Sequence, residues 1–108
     1  MNKGLLRKVL SRNVVAIVLH YCSTTPMTGY DILQRIIEDF GVLLTPAVFY
    51  TCLKSLKRDG MLDSAVIDGK NGRKATRYVV TDEGQACLVE SVHGLRFLLQ
   101  TLSNGRTS

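Results

Sequence analysis

Thr45-Pro46-Ala47-Val48-Phe49-Tyr50-Thr51-Cys52-Leu53-Lys54-Ser55-Leu56-Lys57-Arg58-Asp59-Gly60 is the stretch whose reading decides the fold. Threonine at a cap followed by proline at the first helical position is a strong initiation pair. Proline has no N–H to leave unsatisfied, and its fixed φ suits the first turn. Gly60 ends the pattern, so a helix is predicted over 45–59, about 20 Å long. At 100° per residue Phe49, Cys52, Leu53 and Leu56 gather on one side, and Ala47, Tyr50, Thr51, Lys54 and Arg58 on the other. One face belongs to a core; the other is small, hydroxylated and basic.

Immediately upstream, Thr28 stands three residues before Asp31, the spacing of a capping box. Tyr30, Leu33, Ile36, Ile37 and Phe40 follow as an apolar stripe, and Gly41 is a C-terminal stop. Only Val42, Leu43 and Leu44 separate this helix from Thr45, so the pair reads as a helix-turn-helix. The polar face of its second helix has the chemistry that reads DNA. Hydroxyls bond phosphates or base edges, Lys and Arg supply charge, and Ala47 permits close approach or meets a thymine methyl. On these grounds Thr45, Pro46, Ala47, Tyr50, Thr51, Lys54 and Arg58 are candidate DNA-binding residues.

Downstream of Gly60, residues 62–68 and 75–80 are predicted strands around Asp68-Gly69 and Asn71-Gly72, both favoured in tight turns. The tip carries Lys70, Arg73 and Lys74, with Arg77 on the return strand and no acid between Gly69 and Val80. Basic hairpin tips contact the phosphate backbone or enter a minor groove, which adds these four residues to the candidate site. Thr81 then caps a last helix whose first turn holds Asp82 and Glu83, complementing the helix dipole. Leu88, Val92, Leu95, Leu99 and Leu102 alternate spacings of four and three, a heptad-type seam.

Towards the N-terminus, Leu5, Leu6, Val9 and Leu10 recur at helical spacing among Lys3, Arg7, Lys8 and Arg12. Asn13 is the expected cap of a second helix reaching Tyr21. The apolar face of residues 5–10 is the expected partner of the leucine seam in a twofold dimer, the alternative being a last helix folded back on its own domain.

The totals agree. At 108 residues the chain suits one structural domain, and 45% hydrophobic and 21% charged residues are ordinary for a globular protein. A net charge of +5 suggests an acidic partner, with nucleic acid the usual one. The longest apolar run, Val14 to Leu19, is far short of the roughly 18 residues a membrane span needs. Cys22, Cys52 and Cys87 are odd in number and widely spaced, which fits a reducing cytoplasm better than disulfides or zinc.

The residues also carry a resemblance. Pro26-Met27-Thr28-Gly29-Tyr30-Asp31-Ile32-Leu33 resembles the "hGYeI" segment of PadR-like transcriptional regulators. Thr45-Pro46-Ala47-Val48-Phe49-Tyr50 through Leu53, Leu56 and Gly60-Met61-Leu62 resembles that family's "SPGTIYPaLkrLeeeGLI". Tyr78-Val79-Val80-Thr81-Asp82-Glu83-Gly84 is similar to its "YrLTeeG". The match runs in order over roughly residues 13 to 88. It implies a cytoplasmic homodimer whose last helix packs on the partner's first helix. The helix from Thr45 would enter the major groove, and the hairpin would touch backbone or minor groove. Carried over by position, Thr45, Tyr50 and Lys54 would contact DNA, and Gly29 and Tyr30 would hold the first helix of the motif. The chain departs from the pattern at Thr51, where the family has proline, and at Lys57-Arg58-Asp59, where it has acids. Some relatives bind planar drugs or phenolic acids at the dimer interface, but this chain has no Trp to stack one. A small-molecule effector is therefore not indicated.

Catalysis has little to stand on. His20 and Cys22 lie on different faces of a helix, Cys52 falls on the core stripe, and His93 has no carboxylate or Cys at ligand spacing. No catalytic residue, metal ligand or cofactor is expected. The expected fold is mainly α with a small β-hairpin wing: a winged helix-turn-helix over 1–80, followed by a C-terminal dimerisation helix and tail over 81–108. The expected function is a homodimeric, sequence-specific double-stranded DNA-binding transcriptional regulator, a repressor, nucleoid-associated in the cytoplasm on a pseudo-palindromic operator. A winged-helix module for protein contact or RNA binding is the alternative; the basic recognition face and wing favour DNA.

Overall fold

A computed structural model describes residues 2–104, apart from the side chain of Lys70. Two helices open it, α1 (Lys3–Arg12) and α2 (Val14–Thr24). Asn2 caps α1 by accepting the Leu5 N–H at 3.0 Å. Asn13 does not cap α2 as expected: its amide donates to the Val9 carbonyl at 2.8 Å, closing α1 instead. The helix is buried on most sides, through Val14, Val18, Leu19, Tyr21 and Cys22. It packs against α1, and the remaining helices and the wing also gather round it, which is why its sequence shows no polar face.

A two-residue strand, β1 (Met27–Thr28), precedes α3 (Gly29–Phe40). The capping box is present: Thr28 Oγ1 accepts the Asp31 N–H at 3.1 Å, and the Asp31 carboxylate accepts the Thr28 N–H at 3.3 Å. Gly41 closes α3 at φ +67°, a conformation that glycine adopts without a Cβ penalty. The buried stripe is Ile32, Leu33 and Ile36. Tyr30 and Phe40, expected on that stripe, are exposed, because the core meets α3 on the Ile32 side of the sequence-derived axis. Val42 and Leu44 then dip into the core on either side of exposed Leu43 and deliver the chain to α4 (Pro46–Arg58).

The wing follows as β2 (Leu62–Asp68) and β3 (Lys74–Val80), antiparallel with Asp68 opposite Lys74. β1 adds to the other edge of β3, so the sheet is three-stranded in the order β1-β3-β2. The sequence reading missed this strand because two residues show no period. Lys74, expected in the tip, is the first residue of β3. The loop over 69–73 contains a short 3-10 turn (Lys70–Gly72), with Asn71 at φ 61° and Gly72 at φ 73°, both left-handed positions that Asn and Gly tolerate.

Finally α5 (Asp82–Asn104) leaves the wing. Thr81 Oγ1 accepts the Gly84 N–H at 3.1 Å, and Thr81 N–H donates to the Met61 carbonyl at 3.1 Å. The first half of α5 lies along α2. A groove of about 350 Å³ between them is lined by Ala16, Ile17, Tyr21, Leu88, Val92 and Leu95, among others. The molecule measures 59 × 31 × 21 Å. The tail residues 105–108 lie outside the described residues.

Candidate nucleic-acid interface

The recognition helix is anchored from within. Phe49 and Leu53 are fully buried, and Cys52 and Leu56 nearly so. Burial raises the Cys52 thiol to about 11, as it does Cys22, so both are neutral packing groups at neutral pH. With that face committed, Thr45, Pro46, Ala47, Tyr50, Thr51, Lys54 and Arg58 are all exposed. Thr45 occupies the cap position without a side-chain cap bond, which leaves its hydroxyl at a helix N-terminus open to an anion.

Tyr50 is held rather than loose. Its ring stands edge-on to Phe49, with centroids 5.1 Å apart. It also covers Gly29 so closely that a Cβ there would lie 2.8 Å from Cε1. Gly29 is therefore the seat of Tyr50, and α3 and α4 interlock at that point. Tyr30 does not hold the motif together as its family position implied: it is 66% exposed. It lines a cleft with Thr28, Tyr50, Thr76 and Tyr78, bringing the start of α3, the recognition helix and the wing to one surface. Tyr30 and Thr76 are residues the sequence reading left out. A lone threonine on a strand carries no signal of its own, and Tyr30 shares the spacing of the apolar stripe of α3.

On the wing, Arg73, Lys74 and Arg77 are exposed, and only the backbone of Lys70 is described. Lys74 is engaged by the Asp68 carboxylate across the strands. Arg58 likewise pairs with Asp59 at 3.1 Å. Among the described residues Lys54, Arg73 and Arg77 make no ion pair. Exposed pairs of this kind contribute little, so a phosphate can compete for either cation. Strand alternation puts Arg77 on the opposite face of the sheet from Tyr78, which packs on the core. Lys57 Nζ donates to Ser64 Oγ at 2.6 Å and ties the end of α4 to β2.

The seam residues divide. Leu10, expected on a free face of α1, is 5% exposed and belongs to the chain's own core, with Leu6 packed beside it. Helical geometry puts both with Lys3 and Arg7 on the inward side, leaving Leu5 and Val9 outward. On α5, Leu88 packs on the core and Val92 and Leu95 line the groove against α2, whereas Leu99 and Leu102 are 65% and 66% exposed. The last helix therefore folds back on its own domain over its first half only.

Among the described residues no group of three or more His, Cys, Asp or Glu could hold a metal, and no helix is long and apolar enough to cross a membrane.

A helix-turn-helix with a hairpin beside its second helix and a long helix after it defines a winged helix-turn-helix regulator. The chain belongs to the PadR-like family of transcriptional regulators, whose family model matches residues 18–90. Members of this family are DNA-binding transcriptional regulators. No curated protein sequence matches the chain. Among solved structures it is similar to a transcriptional regulator from Clostridium thermocellum (18% identity, 90% of this chain and 96% of that one, TM-score 0.81). It is similar also to a PadR-like regulator from Bacillus cereus (17%, 94% and 98%, TM-score 0.79). A third is a PadR family regulator from Eggerthella lenta (23%, 92% and 82%, TM-score 0.75). At these identities the likeness establishes the fold.

Proposed function

We propose that the chain is a homodimeric repressor that reads a pseudo-palindromic duplex with α4 in the major groove and the wing on the backbone or minor groove. The observation that carries this reading is the outer face of α4. Thr45, Tyr50, Thr51 and Lys54 are exposed together, with a rigidly seated tyrosine at the centre and a wing on the same surface. In this reading Tyr50 and Lys54 reach base edges, Thr45 and Arg58 touch phosphate, and Pro46, Ala47 and Thr51 line the contact. Arg73 is the leading wing contact, with Lys70, Lys74 and Arg77 behind it.

Dimerisation is supported by the second half of α5. Leu98, Leu99 and Leu102 are exposed on one side of a helix whose residues 91–104 carry a single charge, Arg96. An apolar helix of this length in water is a docking surface. The partner surface is the outward side of α1, Leu5 and Val9, with Val92 and Leu95 at the inner end of the seam. The chain then divides functionally into a winged unit over 1–80 and a dimerising helix and tail over 81–108. Repression follows from exclusion, since a protein seated on a promoter blocks other proteins from it. Its three free thiols suit a reducing cytoplasm, where it would sit on the nucleoid.

Fluorescence anisotropy on duplex as a function of salt tests the reading. Each phosphate contact steepens the log–log slope by about 0.9, so a slope near zero rejects DNA binding. Selection of bound duplexes from a random pool should return half-sites whose centres are about 34 Å apart.

A further inference from the structure

Two cations of α1 reach the turn that joins the helices of the motif. Lys3 Nζ donates to the Gly41 carbonyl at 3.0 Å, and Arg7 Nε donates to the Leu43 carbonyl at 3.2 Å. Four residues apart, they share one face of α1 with Leu10, which is buried in the core. Gly41 follows the last turn of α3, where unpaired carbonyls and the negative end of the helix dipole collect, so a cation is favoured there. The fit is close: a Cβ on Gly41 would stand 2.4 Å from Lys3 Nζ. The same turn is fastened inward by Val42 and Leu44, both buried. It is therefore gripped on two sides, by the core and by α1, and Thr45 and the recognition helix begin immediately after it. The opposite side of α1 presents exposed Leu5 and Val9.

We propose that Lys3 and Arg7 form a brace that sets the recognition helix against α1. Whatever occupies the outer side of α1, a second copy in the reading above, is thereby coupled to the angle at which α4 is presented. Lys3 and Arg7 are positioning residues and not phosphate contacts, although they contribute to the positive charge that suggests DNA binding. The functional consequence rests on the DNA-binding reading; the brace itself rests on the two hydrogen bonds.

The test compares the full chain with the double variant Lys3→Met, Arg7→Met, which keeps two apolar stems and removes both donors. Duplex affinity should fall about threefold to tenfold, as expected for losing two exposed cation contacts at a helix C-terminus, with the salt slope unchanged. Amide exchange at Gly41, whose N–H donates to the Ile37 carbonyl at 2.7 Å, and at Phe49, bonded to the Thr45 carbonyl at 3.0 Å, should quicken. The pair Lys3→Arg, Arg7→Lys, which retains donors, should restore both. A slope reduced by about 1.8, with exchange at Gly41 unaltered, would make the two cations phosphate contacts and overturn the proposal. Unchanged affinity together with unchanged exchange would overturn it as well. If the unsubstituted protein binds no duplex, the DNA-binding reading fails on its own, and exchange at Gly41 still decides whether the brace exists.

Discussion

Gly84 and Gly94 lie on the same helix, and the same substitution should act on them with opposite sign. A Cβ at Gly84 would stand 2.1 Å from the Met61 carbonyl oxygen and 2.6 Å from Val80 Cγ2. The first distance is more than 1 Å short of ordinary contact, and the obstructing atom is backbone. That carbonyl also accepts the Thr81 N–H at 3.1 Å, so the start of α5 cannot move away without losing a bond that joins it to the wing. Overpacking of this kind costs about 1–3 kcal/mol. The lost hydrogen bond costs about 1 kcal/mol more, and the better helix propensity of alanine returns about 1 kcal/mol. Gly84→Ala should therefore destabilise the protein by about 2 kcal/mol, lowering the melting temperature by roughly 8–16 °C for a chain of this size. At Gly94 a Cβ meets nothing within 4 Å, so Gly94→Ala should stabilise by up to about 1 kcal/mol through propensity alone. Urea denaturation followed by circular dichroism at one fixed protein concentration measures both. Equal effects within about 0.5 kcal/mol would refute the reasoning from close approach. A loss at Gly94 that deepens on dilution would place a second chain against that residue.

Other outcomes follow from the same geometry. Leu99→Glu with Leu102→Glu should leave the protomer fold intact, since both residues are exposed, and shift a dimer to monomer in light scattering at micromolar concentration; a dimer that persists would remove the leucine seam from the interface. Tyr50→Phe keeps the ring on Gly29 and removes only the hydroxyl, so discrimination between duplex sequences should weaken by about 1–3 kcal/mol with stability unchanged; binding selection that returns the same site would take Tyr50 out of base readout. Arg73→Ala should reduce the salt slope by about 1 on any duplex, and Asp68→Asn, which frees Lys74, should tighten binding; the reverse order of effects would misplace the wing. Alkaline pH should destabilise the fold. Burial, with the Tyr21 hydroxyl donating to the Asp39 carboxylate, raises Tyr21 from 10.0 to about 12, and burial raises Cys22 and Cys52 from 9.0 to about 11. Groups raised in the folded state contribute stability that is full below the unfolded value and lost as pH climbs through the folded one. The loss therefore begins near pH 9 and runs to about 12, and Tyr21→Phe should flatten its upper part in a pH series of urea midpoints.

Much of this molecule was legible because its signals are local. The cap at Thr28, the stop at Gly41, the Thr45-Pro46 start, the two faces of α4 and the Thr81 cap are all set by a residue and its neighbours within one turn. Period and cap chemistry act over that range, so the sequence by itself determined the order of the helices and the hairpin, the core face of the recognition helix and the family. What it could not determine, the strand β1 at Met27–Thr28 included, depends on contacts between distant segments. Tyr30 matched the stripe of α3 in spacing, but the place where that helix meets the core was decided by Ile32, α2 and the sheet. Leu10 was separated from Val9 only by the direction in which α1 lies on the domain. Lys74 was drawn from the tip into the sheet by register with Asp68. Lys3 and Arg7 looked like surplus charge until folding brought them to carbonyls at positions 41 and 43. A residue's type and spacing say which face it shares; only tertiary packing decides what that face meets.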